Sequence, residues 1–112
     1  MTTLRIEHPI TDYEVWKKAF DGFAEARARA GVRSCAIRLP LDDPNYLMLD
    51  LEFDTPRAAE GFAGFLAEHV WSVPASSPGL AGAPKTRILE LVPGADAAAA
   101  VRSSRRRGRR LD

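Results

Sequence analysis

The chain has a single cysteine, Cys35, among its 112 residues, so it can close no internal disulfide and assemble no cysteine-based zinc site. Histidine is nearly as scarce: His8 and His69 stand without the carboxylate or cysteine spacing that would make either one part of a metal cage. Apolar runs extend over only a few residues, far short of the roughly 18 that cross a bilayer. Met1 to Ile10 lacks the basic start and apolar stretch of a secretory signal. Phosphate loops, dinucleotide fingerprints and nucleophile elbows are absent as well. These gaps point to a cytoplasmic protein with no metal, no cofactor and no membrane contact. Its length suits one domain with one core.

The net charge of +1 conceals an asymmetry. Residues 1–95 carry 10 Lys/Arg against 13 Asp/Glu, whereas residues 96–112 carry 6 Arg against 2 Asp. A mildly acidic body offers no electrostatic footprint for nucleic acid. Only the RRRGRR run at 105–110 could contact a polyanion, and its crowded like charges favour an open, disordered tail over 95–112. The folded domain is therefore expected over 1–94.

Thr3 to His8 alternates Leu4, Ile6 and His8 against Thr3, Arg5 and Glu7, the period of a half-buried strand. Thr11 or Asp12 can cap a helix that runs to about Ala30 and stops at Gly31, with Trp16, Phe20, Phe23 and Arg27 on one face. Val32 to Leu41 and the segment YLMLDLEFD, Tyr46 to Asp54, form a hairpin around Asp42-Asp43-Pro44-Asn45. Pairing Leu39 with Leu49 and Ile37 with Leu51 gathers the large apolar side chains, Cys35 included, on one side and sets Arg38 opposite Asp50. Thr55-Pro56 opens a second helix to about Val70, with Ala58, Phe62, Phe65, Leu66 and His69 as its buried stripe. Ser72 to Lys85 is a proline- and glycine-rich loop, and Thr86 to Val92 is the last strand.

This order, βαββαβ, predicts an α+β fold of the ferredoxin-like kind: a four-stranded antiparallel sheet, first and third strands central, with both helices on one face. The other face would display Arg5, Glu7, Ser34, Ala36, Arg38, Met48, Asp50, Glu52, Ile88 and Glu90. Its acidic excess raises the question of what covers it. Solvent is one answer, and a second copy of the same sheet about a two-fold axis is the other.

The pattern His8-Pro9-Ile10-Thr11-Asp12-Tyr13 leading to Trp16, Phe20 and Asp21, then Gly31, Arg38 ahead of Asp42-Asp43-Pro44-Asn45, Glu52-Phe53-Asp54 and Ala58-Ala59 before Phe62, resembles the dimeric α+β barrel superfamily. Within it the chain is most similar to the antibiotic biosynthesis monooxygenase-like and "cyclase"-labelled small proteins of actinobacteria. The resemblance spans residues 3–92 and implies a homodimer through sheet-to-sheet packing, with a small-molecule pocket between each sheet and its own helices. It also implies cofactor-independent chemistry on aromatic or polyketide-like substrates. The haem-degrading branch carries an asparagine on its first strand where this chain offers His8.

On that basis His8 and His69 are the candidate catalytic residues, and Trp16, Phe20, Arg38 and Trp71 the candidate substrate-binding residues, with loop 72–85 as a lid. Each has a plainer reading. His8 can simply bond Asp12 or the backbone at the strand end, His69 can complement a helix C-terminus, and the tryptophans can be core. The alternative function is a non-enzymatic dimeric binding module whose basic tail contacts a polyanion or a partner protein.

Overall fold

The computed structural model describes residues 1–94, and the expectation of an open arginine-rich tail lies outside the described residues. Strand β1 is Thr2–Pro9; helices α1 and α2 are Tyr13–Gly22 and Ala24–Ala30. Strands β2 and β3 are Ser34–Arg38 and Tyr46–Phe53, and helix α3 is Pro56–Leu66. A π-helical turn, Ala67–Trp71, extends α3, a 3-10 turn covers Pro74–Ser76, and β4 is Lys85–Glu90. The sheet order is β2-β3-β1-β4 with every neighbouring pair antiparallel, which is the ferredoxin-like arrangement with β1 and β3 central. Among the described residues no helix is long and apolar enough to cross a membrane.

Local chemistry explains the helix ends. Asp12 is extended and its Oδ1 accepts from the Val15 N–H at 3.2 Å; Thr55 does the same for Ala58 at 3.2 Å, with Pro56 at the first helical position. Gly31 stops α2 at φ 93°, a conformation other residues adopt only under strain. The single helix expected to run to Ala30 is in fact two. At Phe23 the backbone opens to φ −100°, ψ 17°, and its N–H bonds Phe20 O at 3.1 Å, one residue short of the α-helical partner.

Burial alternates along both central strands, and Leu4, Ile6, Leu47, Leu49, Leu51 and Phe53 form one wall of the core. Ala59 and Phe62 of α3 close it, with the Phe53 and Phe62 ring centroids 6.0 Å apart. The outer strands contribute no fully buried residue, so the helices cover the middle of the sheet and leave its margins open. For that reason Cys35, which points to the helix side opposite Leu51, is exposed rather than buried. Leu41 lies beyond the end of β2 and is fully exposed.

The hairpin register is shifted by two residues from the expected one. Ile37 pairs with Leu49, Cys35 with Leu51 and Arg38 with Met48. A two-residue shift keeps every side chain on its face, so the apolar pattern is equally satisfied by both. On β4 the expected sides are exchanged: Ile88 lies opposite Leu4 on the helix side, and Glu90 there accepts from the Thr2 hydroxyl. Lys85, Arg87 and Leu89 lie on the other face, opposite Glu7, Arg5 and Thr3.

That exchange changes the character of the helix-free face. Its three carboxylates, Glu7, Asp50 and Glu52, stand among four cations, Arg5, Arg38, Lys85 and Arg87, and each carboxylate has a donor. Arg5 grips Asp50 through Nε and Nη2, both at 2.9 Å, and Arg38 reaches the same carboxylate diagonally at 3.1 Å. Thr3 donates to Glu52 at 2.8 Å and the Tyr46 hydroxyl to Glu7 at 2.9 Å. The hydrogen bond from Arg5 leads the effects that hold Asp50 below the usual carboxylate range. The acidic side is thus neutralised within the chain.

Candidate functional site

Between the β1–β3 pair and the helices the core is incompletely filled, leaving a cavity of about 70 Å³. Ile6, Leu49 and Leu51 form its floor, Trp16, Phe20 and Phe23 one wall, Phe62, Leu66, Val70 and Trp71 the other. Ser76, Ser77, Pro78 and Leu80 of the long loop cover it. Such a space holds on the order of five waters.

His8 is the polar group most deeply set in this apolar shell. Strand alternation places it with Leu4 and Ile6, and only 3% of it is exposed. Its Nδ1 lies 3.0 Å from Pro9 O, and a carbonyl only accepts, so Nδ1 carries the proton and Nε2 keeps a lone pair. Nε2 makes no hydrogen bond to the described residues, and the His8 ring lines the cavity. Desolvation lowers the imidazole pKa below its ordinary 6.5, outweighing the opposing effect of the Pro9 carbonyl. A neutral ring with a free Nε2 is the state a base needs. Of the two plainer partners, Asp12 and the backbone at the strand end, His8 takes the backbone, and the Asp12 carboxylate caps α1.

The first helix supplies an aromatic row. Trp16 lies 6.5 Å from His8, and Phe20 stacks on Trp16 with ring centroids 4.9 Å apart. Trp71, just past the last turn of α3, also lines the cavity. Thus His8, Trp16, Phe20 and Trp71 come together. His69 and Arg38 do not. His69 points outward, its side chain 64% exposed, near Phe65 and Glu68. The π-helical turn explains this: bonding to i+5 widens the turn, so the position returning to the buried stripe comes about one residue later and falls to Val70. Ala58, Phe62, Phe65 and Leu66 of the expected stripe do pack on the core, where Ala59 joins them, and Val70 continues the stripe in place of His69. Arg38 lies on the opposite face of the sheet, committed to Asp50. Arg27, which shared the helix face with Trp16 and Phe20 in the sequence, joins the cavity lining although its charge did not mark it as a site residue.

The cover is tied down at both of its glycines. Gly79 has φ 86°, accepts from the Thr11 N–H at 2.8 Å, and a side chain there would sit 3.1 Å from Trp16 N. Gly82 packs so closely that a Cβ would meet Pro9 Cγ at 2.7 Å. Leu80 forms a bridge with Ile10, and the Ala81 N–H donates to Pro9 O at 3.1 Å. Replacement of Gly79 by alanine is expected to cost about 1–2 kcal/mol from the left-handed backbone alone. Urea unfolding monitored by tryptophan emission measures it, and an unchanged midpoint would show that the loop is not held this way.

No protein-family model matches the sequence, and no curated protein matches it either. Solved structures do share its fold. A Nitrosomonas europaea protein assigned to the antibiotic biosynthesis monooxygenases is 20% identical, covering 82% of this chain and 99% of its own, with TM-score 0.60. A monooxygenase of Streptomyces coelicolor in complex with nanaomycin D is 16% identical, covering 83% and 92%, with TM-score 0.53. A dimeric ferredoxin-like protein from an uncultured marine organism is 9% identical, covering 82% and 95%, with TM-score 0.53. The fold expected from the resemblance is therefore the fold of the chain, and these neighbours are antibiotic biosynthesis monooxygenase-like, ferredoxin-fold proteins.

Proposed function

We propose that the protein is a homodimeric binder of small aromatic molecules that acts on them as a cofactor-independent monooxygenase or cyclase-type enzyme. The observation that carries this reading is His8: a neutral imidazole with an unengaged Nε2, in a cavity walled by Trp16, Phe20 and Trp71. The chemistry that suits it is removal of a proton from a phenol or an activated CH₂ of a flat substrate. In a monooxygenase reaction the resulting anion meets dioxygen. The CH₂ loses both hydrogens, one oxygen atom becomes a carbonyl, and the other leaves as water. Apolar walls keep bulk water from reprotonating the anion. The S. coelicolor neighbour, a monooxygenase bound to nanaomycin D, supports this class over a non-enzymatic binding module.

Size narrows the expectation. The cavity is smaller than the roughly 300–1,000 Å³ of ordinary ligand pockets. One ring of the ligand is therefore expected to lie in the cavity, with any further rings passing beside the loop between Trp71 and β4.

The dimer would form through the helix-free face. With the three carboxylates already paired, apolar area rather than charge favours its cover: Met48 and Leu89 lie on it, and Leu91 and Val92, 74% and 64% exposed, follow β4. Light scattering is expected to give twice the 12.3 kDa chain mass, and addition of anthrone is expected to quench Trp16 and Trp71 emission and consume dioxygen. A persistent 12.3 kDa species at high concentration removes the dimer; no quenching removes the pocket; quenching without dioxygen consumption leaves a binding protein.

A further inference from the structure

A cation stands at the wall of this apolar cavity, and nothing in the reading above uses it. Arg27 of α2 folds back across the break at Phe23, placing its guanidinium carbon 3.6 Å from the centroid of the Phe20 ring. Its Nη1 donates to the Phe20 carbonyl at 2.5 Å. That is one of five N–H donors, and no carboxylate of the described residues pairs with the others. Arg5 and Arg38 share Asp50 and Arg33 holds Asp54, whereas Arg27, like Arg57 and Arg87, pairs with no carboxylate among the described residues. Arg27 is held instead by the Phe20 ring and carbonyl, which leaves the remaining donors of its fork available.

The order of groups is also informative. His8, Trp16, Phe20 and Arg27 follow one another by steps of 6.5, 4.9 and 3.6 Å. The two polar heads end the row, and the aromatic rings fill its middle. From this geometry we infer that the cavity takes a flat aromatic anion, whose carboxylate or phenolate pairs with the Arg27 fork while its ring lies along Trp16 and Phe20. This rests on the reading of the cavity as a ligand site and deepens it by naming the charge of the ligand. The ring thereby presents its far end to Nε2 of His8.

Two probes of equal shape separate the inference from its premise: 2-naphthoate and the neutral 2-naphthamide, each titrated against the tryptophan emission of the full chain. Naphthoate is expected to bind about tenfold or more tightly than naphthamide, as a charge-assisted pair provides. Arg27→Met, which keeps the stem over Phe20, is expected to erase that preference by weakening naphthoate far more than naphthamide. Arg27→Lys retains the charge without the fork and should restore only part of it. Equal affinities in the wild-type chain, or a preference that survives in Arg27→Met, overturn the inference and leave the aromatic pocket standing. Failure of both probes to bind overturns the pocket itself and the inference with it. Circular dichroism of both variants confirms that they are folded, and a loss of naphthamide binding in Arg27→Lys as well as Arg27→Met would assign Arg27 to packing instead.

Discussion

Phe53→Ala is expected to lower the free energy of unfolding by about 3–5 kcal/mol. Phe53 ends β3 with no exposed surface, facing Phe62 of α3, and it is the largest of the fully buried side chains. Its removal takes away one of the contacts by which α3 is held to the sheet. The surrounding backbone is paired on both sides, β3 lying between β1 and β2, so it cannot collapse into the vacancy. Small domains have about 5–15 kcal/mol in total, so the variant should sit near the edge of stability at room temperature. Leu41→Ala, at a leucine that is fully exposed, should change stability by no more than about 0.5 kcal/mol. Urea denaturation of the two variants side by side measures the contrast. A Phe53→Ala effect under about 1 kcal/mol would mean that the β3–α3 contact is not the centre of the core.

The second large effect concerns chemistry. With anthrone as substrate, His8→Gln is expected to lower the rate of dioxygen consumption about 10²–10⁴-fold, the range that a positioned base supplies. Glutamine can bond Pro9 O but cannot take up a proton, so quenching of tryptophan emission by anthrone should persist. An unchanged rate would remove His8 from the mechanism and leave it as a strand-end residue bonded to the backbone. The pH dependence carries a sign that can be checked independently. Because burial holds the folded pKa of His8 below its ordinary 6.5, the unfolded chain binds the proton first as the solution is acidified. Stability is therefore fully present above 6.5 and falls as pH drops from there toward the depressed value. His8→Gln should flatten that segment. Asp50, whose pKa is lowered from 3.8, acts in a separate, more acidic window, where its stabilisation is lost as pH falls through the folded value.

Much of the architecture was legible in the residues because it depends on short-range rules. Period-two alternation in Leu4–Ile6–His8 and Leu47–Leu49–Leu51–Phe53 identifies the two central strands and also sets which way His8 faces. Asp12, Thr55-Pro56 and Gly31 mark helix ends through single backbone–side-chain or φ requirements that need no tertiary partner. Trp16 and Phe20 share a face by the turn of one helix, and so reach the cavity together.

The misplacements share a different cause: the local pattern was degenerate. Ile37 can oppose Leu49 or Leu51 without any side chain changing face, so the hairpin register awaited the rest of the sheet. On β4, Ile88 and Leu89 offer an apolar residue to either side, and only pairing with β1 chose between them. His69 lost its place in the buried stripe to a widened turn that no residue in Ala67–Trp71 announces.

The sequence by itself determined the order of strands and helices, the two faces of the central strands and the inward direction of His8, because each follows from the geometry of one residue and its neighbours. Only the tertiary structure decided that the acidic carboxylates would be paired within the chain, that His69 would face outward, and that Arg27, with no carboxylate partner among the described residues, would stack on Phe20 beside the cavity. Those outcomes depend on distances between residues far apart in the chain, and a charge carries no mark of which distant group it will meet.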